Sequence, residues 1–103
     1  MATYAVTFRI SAKTVNGKTY IERYSSFMEK LYSKSGYWEE TTSFALTISD
    51  KSTQALVRHL SQDLSATEDL VVAFDPSDMS SAYFGNLEHK DVLASFFNTC
   101  TKV

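Results

Sequence analysis

The chain has 103 residues, 44% of them hydrophobic and 14% aromatic, with only three Gly and one Pro. That composition excludes a disordered or fibrous chain, and the length suits one domain that buries roughly two-thirds of its unfolded surface. Ten basic and twelve acidic residues leave a net charge of −2, which removes the usual electrostatic argument for nucleic acid; Cys100, the one cysteine, excludes an internal disulfide.

Residues 3–11, TYAVTFRIS, alternate strictly and predict a half-buried first strand with Tyr4, Val6, Phe8 and Ile10 on one face. Asn16-Gly17 marks a turn. Thr19 and Glu22 form a T-x-x-E capping box, and Tyr20, Ile21, Tyr24, Phe27, Met28, Leu31 and Tyr32 follow at helical spacing. Ser35-Gly36 is expected to stop this helix, with Gly36 as a left-handed cap. YWEETTSFALTIS predicts a short strand, a hairpin near Glu40-Thr41-Thr42, and a longer strand in which Phe44, Leu46 and Ile48 share a face. Asp50 or Ser52 caps a second helix lined by Leu56, Val57, Leu60 and Leu64. EDLVVAF reads as a buried strand that Pro76 ends. SDMSSAYFGN is a loop with a short strand at 82–84, and a third helix follows with Val92, Leu93, Phe96 and Phe97 on one side.

The order β-α-β-β-α-β plus a C-terminal helix predicts an α+β fold of the ferredoxin-like pattern, an antiparallel sheet with two helices on one face. It forms a single domain, 1–103, in which 77–103 is a C-terminal extension. Even-numbered residues of strands one and three, with Leu70, Val72 and Phe74, are expected to face the helices. Ala5, Thr7, Arg9, Ser43, Ala45, Thr47, Val71 and Ala73 are expected on the other face. A face of small, mostly neutral residues invites a flat cover: the third helix, the same face of a second subunit, or only water.

Several short motifs occur in order along residues 3 to 97: FRIS ending strand one, Gly36-Tyr37-Trp38 after helix one, Thr42-Ser43-Phe44 in strand three, Asp69-Leu70-Val71-Val72 opening strand four, and Ala82-Tyr83-Phe84-Gly85 before the last helix. In these the chain resembles small bacterial proteins labelled SinR-like, akin to the small dimeric CRISPR adaptation nuclease and, more distantly, to virulence-associated protein D. The resemblance implies a ferredoxin-like subunit that dimerises. In the nuclease branch an aspartate near the end of strand one is the proposed metal ligand, and here that position is Arg9. A guanidinium carries only donors and a fixed positive charge, so it cannot ligate magnesium.

Arg9 has two readings, a phosphate contact through its planar fork or an ion pair with Glu39 or Asp75. Asp75 and Asp78, just after strand four, fit a magnesium site or plain Asp-Pro turn chemistry. His59 and Asp63 stand four apart and read as a solvated helix pair. Two separate histidines and one distant cysteine make no metal pattern, so no cofactor is expected. Tyr83 and Phe84 beside Gly85 fit base stacking or an aromatic plug, and Trp38 a core or interface anchor. The expected function is a non-catalytic dimeric binding module, a homodimer that holds a nucleic acid or protein partner. The alternatives are a metal-dependent endoribonuclease or toxin-like protein using Asp75, and a structural subunit of a heteromeric complex. No apolar run of signal-peptide length opens the chain, and the longest, Leu70 to Phe74, is too short for a membrane span, so a cytoplasmic protein without a membrane partner is expected.

Overall fold

In the computed structural model, which describes all residues from Met1 to Val103, six strands form one mixed sheet and three helices flank it. Strand β1 (Ala2–Arg9) is followed by α1 (Tyr20–Leu31), β2 (Tyr37–Thr41), β3 (Phe44–Ser49), α2 (Thr53–Leu60), β4 (Leu70–Asp75), β5 (Ser80–Phe84), α3 (Lys90–Ala94) and β6 (Thr99–Lys102). The order across the sheet is β2-β3-β1-β4-β5-β6. All neighbours are antiparallel except β5 and β6, which run parallel.

The capping box forms as its chemistry requires. The Thr19 hydroxyl accepts from the Glu22 amide at 3.2 Å, and the Glu22 carboxylate accepts from the Thr19 amide at 3.0 Å. Ser52, not Asp50, caps α2, its hydroxyl accepting from the Ala55 amide. Helix α1 ends earlier than expected, because Tyr32 is already extended (φ −60°, ψ 138°). Gly36 is therefore not its cap. Glycine is needed there for room, since a Cβ would press into the Ile48 side chain. The β2–β3 reversal falls at Thr42 and Ser43, with Ser43 in the left-handed region (φ 58°), and a bulge between Trp38 and Thr41 shifts the register.

Two strands beyond the four of the ferredoxin-like pattern extend the sheet: β5, which contains the short strand expected at 82–84, and β6, where none was expected. Asp75 accepts from the Ser77 amide and hydroxyl, Asp78 accepts from the Ser80 amide, and the reversal delivers β5 alongside β4. The expected C-terminal amphipathic helix is only the five-residue α3. It sits in the crossover to β6, which the alternating β-branched segment TCTKV makes a strand. Phe97 from this crossover packs on Phe74, with ring centroids 5.1 Å apart, while Val92 and Phe96 stay exposed.

Strand register sets the two faces. Val6 pairs with Ala45 and with Ala73, Phe8 with Val71, and Tyr4 with Thr47, so these side chains share one face. Helices α1 and α2 cover that face. Phe8 meets Phe27 at 4.5 Å, the Thr47 hydroxyl donates to the Leu31 carbonyl, and Val6, Ala45, Val71 and Ala73 join Leu56, Val57 and Leu60 in one core. The expected faces are thus correct for β1 and inverted for β3 and β4. Ala45, Thr47, Val71 and Ala73 lie under the helices, and Phe44, Leu46, Ile48, Leu70, Val72 and Phe74 lie outside. A one-residue difference in phase turns every side chain of a strand over. In β4 both parities are apolar, so alternation alone carries no sign. Strand β3 alternates as cleanly as β1, with Phe44, Leu46 and Ile48 against Ala45, Thr47 and Ser49, yet its pairing with β1 turns the large residues outward.

Candidate functional site: the outer sheet face and the clefts around it

The outer face is built by Thr3, Ala5, Thr7 and Arg9 of β1, Phe44, Leu46 and Ile48 of β3, and Leu70, Val72 and Phe74 of β4. Among these ten residues Arg9 alone is charged. Leu46 and Phe74 flank Ala5, which their bulk buries to 6% exposure. Trp38 pairs opposite Leu46 and meets Phe44 edge-on at 6.5 Å. The α3 crossover reaches this face at Phe74, yet Trp38 keeps 40% and Leu46 37% of its surface exposed. Large apolar side chains on one face of an antiparallel sheet are ordinarily buried.

Each residue singled out from the sequence now has a place. Arg9 is exposed at the end of this face and makes no ion pair. It pairs with Leu70, five residues from Asp75, which puts the two roughly 17 Å apart along the strand and on opposite faces. Glu39 lies on the helix side, beside Tyr20 and Tyr24. Neither proposed carboxylate partner reaches Arg9. Ala5 and Thr7 remain outer-face residues. Ser43 belongs to the hairpin loop, where its carbonyl accepts from the Phe8 amide and the Thr7 hydroxyl. Ala45 and Ala73 are fully buried and offer nothing to a partner. Tyr83 is 6% exposed, too buried to stack on a base.

Asp75 sits on the helix side, at the wall of a cavity of about 380 Å³ with Asp78, Tyr4 and the hydroxyls of Ser52, Thr53, Ser80, Thr99 and Thr101. The Tyr4 hydroxyl donates to the Lys51 carbonyl at 2.6 Å. Burial pushes its phenol up, partly offset by Thr53, and the Asp75 and Asp78 carboxylates add to the rise. No three His, Cys, Asp or Glu side chains converge anywhere in the molecule as a metal set.

The strongest polar constellation is one the sequence reading missed. Arg23, 1% exposed, lies on the buried stripe of α1 and meets Asp69, which is fully buried. Its Nε donates to Asp69 Oδ2 at 3.1 Å, and its terminal nitrogens donate to the carbonyls of Lys13 (2.8 Å), Lys18 (2.9 Å) and Ser11 (2.7 Å). Asp69 also accepts from the amides of Ser11 and Ser65. Gly85, at φ +104°, closes over the Asp69 carbonyl, where a Cβ has no room. The pair is satisfied on all sides and ties the β1–α1 loop to the start of β4. It is a brace with no atom left for a substrate. Spacing carried the signal, since position 23 falls three after Tyr20 and four before Phe27.

His59 and Asp63 do not form the expected pair. Helix α2 ends at Leu60, and Asp63, beyond it, accepts from Lys30 (2.8 Å), Lys18 (3.1 Å) and the Ser26 hydroxyl. The Lys30, Ser26 and Lys18 hydrogen bonds hold the Asp63 carboxyl well below the usual carboxylate range. A depressed carboxyl pKa contributes stability above its unfolded value, near 3.8, and loses it as pH falls further. Asp63→Asn is therefore expected to lower stability at pH 7 by at most about 1 kcal/mol, since the carboxylate is part-exposed and screened. The difference from wild type should shrink below pH 4 in acid-denaturation curves.

These features define a class: an α+β protein with a six-stranded mixed sheet, two helices on a well-packed inner face, and an apolar, partly uncovered outer face. No helix is long and apolar enough to cross a membrane. Compared with family models, curated proteins and solved structures, the chain matches none of them.

Proposed function

We propose that this protein is a non-catalytic binding module that works as a homodimer through the outer sheet face. The observation that carries the reading is the outer face of β1, β3 and β4, where one residue in ten is charged and large apolar side chains stay exposed. A second copy is its occupant, because a two-fold contact sets Leu46 and Phe44 of one subunit against the same flat apolar patch of the other. The same reading takes the first four strands, ordered β2-β3-β1-β4 with two helices on one side, as a ferredoxin-like unit extended by β5 and β6. The resemblance to the small CRISPR adaptation nuclease and its SinR-like relatives supports that choice, and Arg9 in place of the family's aspartate argues against their chemistry.

The dimer presents its helices and loops to a further partner. Net charge −2 and scattered lysines favour a protein over a nucleic acid. RNA binding measured by fluorescence anisotropy, with a steep salt dependence, would reverse that preference. Leu46→Lys is expected to convert the dimer to a monomer and leave the subunit folded, because position 46 is part-exposed in the single chain. Sedimentation or light scattering with circular dichroism reads both outcomes. A dimer that persists in the variant places the contact elsewhere.

The nuclease alternative makes a separate expectation. Phosphodiester hydrolysis at neutral pH needs a metal-bound water or an equivalent base. Asp75 already accepts two bonds from Ser77 within its turn, and Arg9 lies far from it. With magnesium or manganese, RNA and duplex DNA should remain intact, and Asp75→Asn should behave as wild type. Metal-dependent cleavage lost in that variant would establish the alternative.

A further inference from the structure

A cavity of about 320 Å³ opens between the C-terminal end of α1, the end of β3 and the outer side of α2. Its wall is rich in donors. Lys30, Lys51 and His59 reach it, as do Ser33, Ser35 and Ser49. The three serine hydroxyls donate to no protein group, and those of Ser33 and Ser49 only accept, from the Ser35 and Lys51 amides. Lys30 is already neutralised by Asp63 at 2.8 Å, whereas the Lys51 ammonium has no ion-pair partner. Against these donors stand the Asp50 carboxylate and the last carbonyls of α1, one of which, Leu31, is taken by Thr47. Desolvation by burial, with smaller contributions from Lys51 and Lys30, holds the His59 imidazole below its ordinary value.

We propose that this cavity binds a phosphate monoester, its dianionic head held by Lys51, His59 and the hydroxyls of Ser33, Ser35 and Ser49. Uncommitted donors around an unpaired ammonium are what a tetrahedral oxyanion needs, and a charge-assisted bond is stronger than a neutral one. The volume exceeds that of the head alone and leaves room for the organic group of an ester. The titratable groups that line the cavity with His59 are the Met1 amino group, Lys30 of α1, Tyr32 just beyond it, and Asp50 and Lys51 from the β3–α2 loop. A bound dianion offsets the Lys51 ammonium and favours the protonated form of His59. The inference does not depend on the dimer: of the outer-face residues only Ile48 lines the cavity, and the donors come from α2, the end of β3 and the loops that follow α1 and β3.

Titration of the full chain, followed by the His59 ring resonances and by calorimetry, tests it with three probes. Inorganic phosphate and ribose 5-phosphate at pH 7 should both bind, the ester more tightly, and sodium chloride at matched ionic strength should not. Equal affinity for the two would mean a site for the free ion and would overturn the monoester assignment. Lys51→Ala, an exposed position, should weaken binding at least about tenfold, the loss of one charge-assisted bond. Sulfate keeps its charge between pH 8 and 5.5, and its affinity should rise over that range by about tenfold for each unit by which it raises the His59 pKa. In His59→Gln that rise should vanish. No response beyond the chloride control, or binding unchanged in Lys51→Ala, overturns the proposal.

Discussion

Arg23→Met is expected to lower unfolding free energy by about 3–5 kcal/mol, because breaking a buried ion pair by removing one partner leaves the other charge uncompensated. Asp69 would remain fully buried with a negative charge and only the Ser11 and Ser65 amides to serve it. The carbonyls of Ser11, Lys13 and Lys18 would each lose a donor. Methionine keeps the volume, so the loss reports the bonds and not a void. Lysine in the same place should rescue little, since one ammonium cannot reproduce the fork that spans Asp69 and three carbonyls. Urea denaturation of both variants checks this. A midpoint within experimental error of wild type would mean that the brace contributes nothing.

The second large effect separates the two sheet faces. Leu60→Ala removes a side chain that is 1% exposed in the core between α2 and the sheet, and should cost about 2–5 kcal/mol. Phe44→Ala, on the outer face, should cost the isolated subunit clearly less and weaken self-association instead. The sequence alone predicts equal, large losses of stability for both, because it puts Phe44 against the helices. Lysine at position 45 makes the same point in reverse. Ala45 is fully buried beneath α1 and α2, so Ala45→Lys should unfold the subunit and not merely part a dimer. Thermal melts over a concentration series distinguish the two, since only dissociation depends on concentration.

What could be read from the sequence follows a physical division. Strand β1 was legible because one parity is large and the other small or polar. Helix α1 and its box were legible because Thr19 and Glu22 are local partners. The face of β4 was not, because Leu70-Val71-Val72 is apolar in both parities; that of β3 was not, because its large parity, Phe44, Leu46 and Ile48, is the outer one, a phase that only the pairing with β1 fixes. Strand β6 was hidden because parallel pairing with β5 is a long-range event across a crossover. Of the residues singled out, Arg9, Ala5 and Thr7 kept their place on the outer face. Asp75 and Arg9 were expected as neighbours and are separated by the antiparallel register. Arg23 was overlooked as a charge on an amphipathic helix, although its position in the stripe marked it for burial.

The mass of the protein in solution tests the central claim most directly. Light scattering coupled to gel filtration at micromolar concentration should give twice the chain mass of 11.6 kDa for wild type and that single mass for Leu46→Lys. A wild-type monomer at that concentration, with Trp38 and Leu46 open to water, would contradict the account.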